Sequence, residues 1–127
     1  MEILLVARDN LIRDQVKVGL QQFQEFSVTW GEGYAAVNDV RQHRYDCIFL
    51  EAGDDHEGVR LLNHLRTFDK STEVVIITTE KHAKEMASEK SRLNVVAFLH
   101  TPINVNEFFK LIGRFRARRR DAEAARR

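Results

Sequence analysis

Five short apolar runs, each followed by a stretch with helical spacing, constrain this 127-residue chain more than any other feature. Residues 2–7, 26–30, 46–51, 73–78 and 95–100 are rich in Val, Ile, Leu and aromatic side chains. They are too short for amphipathic helices and read as strands, several of them buried on both faces. Between them the period changes to that of a helix. Asp9 or Asn10 caps the first helical segment, with Leu11, Ile12, Val16, Val18, Leu20 and Phe23 as its buried stripe. Residues 34–44 form a weak second helix around Ala35, Ala36, Val37 and Val40. Residues 57–67 carry Val59, Leu61, Leu62 and Leu65, and residues 81–91 make a mostly polar fourth helix. Asn104 opens a long fifth helix with Phe108, Phe109, Leu111, Ile112 and Phe115. Strands that alternate with helices pair in parallel, because a parallel neighbour can be reached only through a crossover. The expectation is an α/β chain with a single doubly wound, five-stranded parallel sheet and five helices.

In the flavodoxin-like strand order 2-1-3-4-5, the chain reverses direction across the sheet between strands one and three. A site then belongs at their carboxyl ends. Those ends read Ala7-Arg8-Asp9 and Glu51-Ala52-Gly53.

Composition narrows the classes. With 43% hydrophobic and 31% charged residues the chain is an ordinary globular domain of a size that buries its own core. The single Cys47 sits inside an apolar run. A disulfide framework and a multi-cysteine metal site within one chain are therefore excluded, and a reducing compartment suits the sequence. No apolar run approaches the roughly 20 residues of a membrane span, and the chain reads as cytoplasmic. Five histidines at 43, 56, 64, 82 and 100 have no paired ligand spacing. Asp54-Asp55-His56-Glu57 reads as a solvated acidic loop rather than a metal cluster, so no metal or cofactor is expected. Gly31-Glu32-Gly33 lacks the spacing of a dinucleotide loop and reads as a turn, and Asn94 reads as a left-handed helix end.

The near-neutral total of +1 hides an asymmetry. Residues 114–127 hold seven arginines against Asp121 and Glu123, a net +5, so the body carries −4. This divides the chain into a domain over residues 1–115 and a basic helical extension or linker over residues 116–127. Aromatic interleaving for base stacking stops at Phe115, which weighs against nucleic acid.

Residues 2–115 resemble the receiver domains of response regulators in their order of motifs. Ile3-Leu4-Leu5-Val6 and Asn10-Leu11-Ile12-Arg13 match the opening strand and helix. Asp46-Cys47-Ile48-Phe49-Leu50 matches the run before the phosphoacceptor aspartate, and Gly58 a glycine beyond it. Thr78 stands for the hydroxyl residue that bonds the phosphoryl group, Phe98 for the switching aromatic, and Thr101-Pro102 for the family's Lys-Pro. The resemblance implies that Ala7 and Arg8 occupy the places of the Mg²⁺-holding acids, that Asp9 is acidic one step too late, that Glu51 replaces the phosphoacceptor, and that Thr101 replaces the lysine. Mg²⁺ takes hard oxygen ligands, so Arg8 would repel it, whereas Arg8 facing Glu51 could form a bidentate pair. Glu51 could otherwise extend its carboxylate to Thr78 and imitate a phosphorylated state.

The function this implies is that of a phosphorylation-independent receiver, not an enzyme, acting through protein contacts in bacterial signal transduction. The expected contact face is helix four, strand five and helix five, with Phe98, Glu107, Lys110 and Arg114, used by a protein partner or a second copy. An output domain could lie beyond Arg127. The alternatives are a true phosphoacceptor using Glu51, Asp54 or Asp55, and a nucleic-acid module acting through the arginines.

Overall fold

The computed structural model describes residues 1–53 and 55–125, without the side chains of residues 122, 123 and 125. In chain order the elements are β1 (Glu2–Val6), α1 (Asn10–Gln21), β2 (Ser27–Gly31), α2 (Gly33–Asn38), β3 (Cys47–Glu51), α3 (Glu57–Arg66), β4 (Glu73–Thr79), α4 (Glu80–Met86), β5 (Val95–Thr101) and α5 (Val105–Ala125). All neighbouring strands are parallel, in the order β2-β1-β3-β4-β5. The doubly wound five-stranded sheet expected from the alternation of periods is therefore the observed one.

The central strands are buried on both faces because side chains alternate across the sheet. Ile3, Leu5, Phe49, Val75 and Ile77 point to one side and pack with Val16, Leu20, Phe108, Leu111, Ile112 and Phe115 of α1 and α5. Leu4, Ile48, Leu50, Val74 and Ile76 point to the other, against Leu61, Leu62 and Leu65 of α3, Val37 of α2 and Met86 of α4. Cys47 is buried on the first of these sides, with Phe49, and burial pushes its thiol well above the ordinary range.

Several elements differ from the sequence reading. The second helix stops at Asn38 and tightens into a 3₁₀ turn over Asp39–Arg41 instead of running to 44. Asp39 explains the stop, since its carboxylate accepts from the Tyr45 hydroxyl at 2.6 Å and lies 3.1 Å from His43 Nδ1. The fourth helix starts one residue early, where Thr79 Oγ1 caps His82 N–H. It ends at Met86, and a 3₁₀ turn follows over Ala87–Glu89. Leu11, Val18 and Phe109 are exposed rather than buried. The stripe that meets the sheet on α1 is Val16 and Leu20, and residues 11 and 18 lie on the opposite face of the same helix. Asn94 does adopt the left-handed conformation, with φ at 52°.

One arginine fastens the β3–α3–β4 layer at its lower end. Arg66 Nε donates to Leu93 O at 2.8 Å, Nη1 to Asp69 O at 3.0 Å and Nη2 to Thr72 O at 2.6 Å. Its side chain is nearly buried, so the main-chain carbonyls take the place of water around the charge.

Candidate functional site

At the carboxyl ends of β1 and β3 lies a cleft of about 300 Å³ lined by Val6, Ala7, Arg8, Gly33, Glu51, Gly53, Asp55, Glu57, Gly58 and Leu61. Parallel pairing puts Val6 beside Leu50, so Ala7 and Arg8 leave β1 next to Glu51. Gly58 brings α3 against the same cleft: a Cβ there would lie 2.5 Å from Ala52 Cα, so the first turn of α3 can sit this close only with glycine. His56, with φ at 64°, turns the chain immediately before that helix.

Two carboxylates hold the Arg8 guanidinium. Nη2 donates to Asp55 Oδ2 at 2.7 Å and Nη1 to Glu57 Oε2 at 2.5 Å. The expected Arg8–Glu51 pair is therefore corrected: the guanidinium turns outward to the β3–α3 loop. Glu51 instead meets the main chain. Its Oε1 accepts from Arg8 N–H at 2.7 Å and from Asp9 N–H at 2.9 Å. The expected reach of Glu51 to Thr78 is corrected too. Thr78 is buried and its Oγ1 donates to Ala52 O at 2.6 Å, which ties β4 to the β3–α3 loop rather than to a carboxylate.

The electrostatics follow from this arrangement. The Arg8 guanidinium, bonded to Asp55, holds that carboxyl below its ordinary range. The bond to Asp55 in turn raises Arg8, with Glu57 assisting. A divalent cation would need several carboxylate or carbonyl oxygens turned to one point. Here Ala7 offers no donor, one oxygen of Glu51 serves two N–H groups, and Asp55 and Glu57 each bond a fixed cation. These residues do not fit Mg²⁺.

The other expected site residues are more scattered. Asp9 serves as the cap of α1, its Oδ1 accepting from Ile12 N–H at 3.0 Å. Thr101 ends β5 half-buried, before a cis peptide to Pro102. Neither Asp9, Thr78 nor Thr101 lines the cleft. Asp54 lies outside the described residues, and among those residues no group of three or more His, Cys, Asp or Glu is placed to hold a metal. Sequence reasoning missed Asp55 and Glu57 as the partners of Arg8. Their signal was the acidic run at 54–57, read there as solvated.

On the opposite flank, Phe98 is half-buried and packs on the α2–α3–α4 core, with Lys90 Nζ 5.9 Å from its ring centre. The aromatic expected on the contact face thus gives part of its ring to the core. Glu107 lies 3.1 Å from His100 Nδ1, joining α5 to β5, and Lys110 and Arg114 border a shallow depression with Asn104, Asn106 and Gly113. The extension continues α5 without a break, and its arginines reach acids on the domain. Arg116 pairs with Glu25, Arg118 with Glu73, and Arg119 Nη1 with Asp46 Oδ1 at 3.2 Å. No helix among the described residues is long and apolar enough to cross a membrane.

Residues 3–113 match the family model described as response regulator receiver domain. No curated protein matches the chain by sequence. Among solved structures, the inactive form of the regulatory domain of the repressor of iron transport regulator (RitR) is 18% identical, with a TM-score of 0.74, over 91% of this chain and 95% of that one. Chemotaxis protein CheY4 of Vibrio cholerae is 23% identical at a TM-score of 0.74, over 89% and 96%. NtrX of Brucella abortus is 18% identical at 0.77. There the match covers 99% of this chain but 29% of NtrX. Likeness at these identities concerns the fold.

Proposed function

The chain belongs to the response regulator receiver domain family, and we propose that it acts there without phosphorylation, as a protein-contact module in bacterial signalling. Receiver domains of this family are regulatory modules. What distinguishes this one, on our reading, is a cleft that carries its own counterion. The observation that carries it is the Arg8 guanidinium bridging Asp55 and Glu57 while Glu51 is held by the N–H groups of residues 8 and 9.

Phosphoryl transfer to a carboxylate needs positive charge at the transferring oxygens and a carboxylate free to attack. In this cleft the cation is already neutralised by two acids, and the carboxylates are engaged. Thr101, where the resemblance places a lysine, adds a hydroxyl and no charge. The competing reading through Asp55 meets the same obstacle, because attack would require it to leave Arg8. The reading through a nucleic-acid-binding tail is weakened by the pairing of Arg116, Arg118 and Arg119 with Glu25, Glu73 and Asp46. The face of α4, β5 and α5 offers mixed charge from Glu107, Lys110 and Arg114, which suits a reversible contact oriented by electrostatics with a protein partner.

The test is intact-mass measurement after incubation with acetyl phosphate and millimolar Mg²⁺. The mass is expected to stay unchanged. A gain of about 80 Da, one phosphoryl group, mapped to residue 51, 54 or 55 refutes the proposal.

A further inference from the structure

Beyond Phe115 the last helix presents its charge unevenly. Arg116, Arg119 and Arg120 stand at positions i, i+3 and i+4 and project from one face of α5, whereas Arg118, between them in sequence, turns elsewhere to Glu73. Where that face crosses the loop between α1 and β2 it closes a pocket of about 230 Å³, lined by Met1, Glu25, Phe26 and the three arginines. The pocket lies at the amino-terminal ends of β1 and β2, at the far end of the sheet from the Arg8 cleft. Glu25 pairs with Arg116 Nε, and Asp46, outside the lining, pairs with Arg119 Nη1. Arg120 forms no ion pair among the described residues.

We infer that this pocket binds a small diphosphate or polyphosphate anion. Three observations select that class. The first is charge: three arginines face one carboxylate in the lining, which leaves a positive surplus in a body that is otherwise acidic. The second is the kind of cation. Arginine forks match phosphate oxygens in pairs, and Arg116 meets Glu25 through Nε alone, so one ion pair does not exhaust its five N–H donors. The same guanidinium lies 4.8 Å from the centre of the Phe23 ring, which holds the fork in place before any ligand arrives. The third is shape. The arginines converge on one concavity instead of running along a groove, and Phe26, only 8% exposed, offers no open ring face on which a base could stack. The site thus reads a compact, multiply charged phosphate group and not a polynucleotide. Charge also sets the magnitudes. A trivalent diphosphate about 5 Å from one guanidinium, in a water-like medium with about 0.1 M salt, loses roughly ten-fold in affinity when that guanidinium is removed. Orthophosphate carries about one charge fewer and should bind roughly five-fold more weakly.

The pocket and the Arg8 cleft share no residue, so a negative result at one leaves the other untouched. The test is a titration of the full chain with sodium diphosphate, and separately with orthophosphate, at constant ionic strength and without divalent cations, followed by amide and arginine side-chain shifts. Diphosphate should give saturable shifts centred on residues 25, 26, 116, 119 and 120, with half-saturation on the order of 1 mM. Arg120→Gln removes an exposed charge and should weaken diphosphate about ten-fold with an unchanged circular dichroism spectrum. Lys110→Gln, on the same helix but outside the pocket, should stay within about two-fold of the parent. The absence of saturable shifts up to about 20 mM, roughly twenty times the expected midpoint, overturns the inference. Equal affinity in Arg120→Gln, or orthophosphate binding as tightly as diphosphate, overturns it as well. A short single-stranded DNA that displaces diphosphate at a lower concentration overturns it in favour of a nucleic-acid contact along the extension.

Discussion

Replacing Arg8 by aspartate should create a cation site where the parent has none. The guanidinium lies within 2.7 Å of Asp55 and Glu57, so a dication ligated by those carboxylates would sit roughly 5 Å from it. The Arg8 side chain is largely exposed, and a water-like dielectric is the appropriate one. In that medium a guanidinium and a dication about 5 Å apart repel by nearly three times the thermal energy, which weakens binding roughly fifteen-fold. Arg8→Asp turns the repulsion into an attraction of similar size and releases Asp55 and Glu57, so the gain approaches 250-fold. Arg8→Ala should recover only the first factor. Amide shifts of residues 7–9 and 51–53 during a Mg²⁺ titration read this directly. The parent should show no saturable change up to about 10 mM, and Arg8→Asp should saturate in the low millimolar range, typical of an exposed carboxylate site. Saturation in the parent, or equal behaviour of all three proteins, would refute the account of Arg8 as a built-in counterion.

Two further outcomes follow from groups away from the cleft. Burial, and then the bond to Asp39, push the Tyr45 phenol up to about 12. The folded state thus keeps its proton while the unfolded chain loses it, and the stability this contributes is complete below pH 10 and is lost as pH rises to about 12. Unfolding free energies from urea titrations should fall by about 2–3 kcal/mol over that window relative to Tyr45→Phe, and parallel pH profiles for the two proteins would disprove the assignment. Arg66→Met should cost about 3–5 kcal/mol because three short bonds to carbonyls vanish at once, with Arg66→Lys costing roughly half; a loss under 1 kcal/mol in chemical denaturation would show that those carbonyls find other donors.

The strands and their alternation with helices could be read from the chain because doubly buried strands are continuous apolar runs, and no other element of this length looks like them; the order of the strands is not in those runs. Helix faces were harder. Leu11, Val18 and Phe109 count as apolar in any stripe, yet only the phase set by Val16, Leu20, Phe108 and Ile112 meets the sheet, and phase is decided by packing. At the cleft, the types of residue were legible and their partners were not. Charge alone matched Arg8 with Glu51, but the short carboxylate arm of Glu51 is taken by two adjacent N–H groups. The left-handed turn at His56 then brings Asp55 and Glu57 within reach of the longer arginine. Tyr45 and Arg66 gave no signal, since their roles depend on which oxygens the folded turns present: Asp39 for Tyr45, and Asp69, Thr72 and the more distant Leu93 for Arg66.

The three ion pairs of the α5 extension bear on how such a chain can vary over generations. Glu25, Asp46 and Glu73 stand at the amino-terminal entries of β2, β3 and β4, far apart in sequence and unremarkable as surface acids. Each exposed pair is worth little alone, so drift can remove one without penalty. Once two are gone, the remaining arginine has little to hold against, and the helix past Phe115 loses its fixed direction across the domain. Substitutions at these three acids should therefore be inherited together with losses at Arg116, Arg118 and Arg119, leaving a six-position pattern of correlated change in related chains that has no counterpart in any single conserved residue.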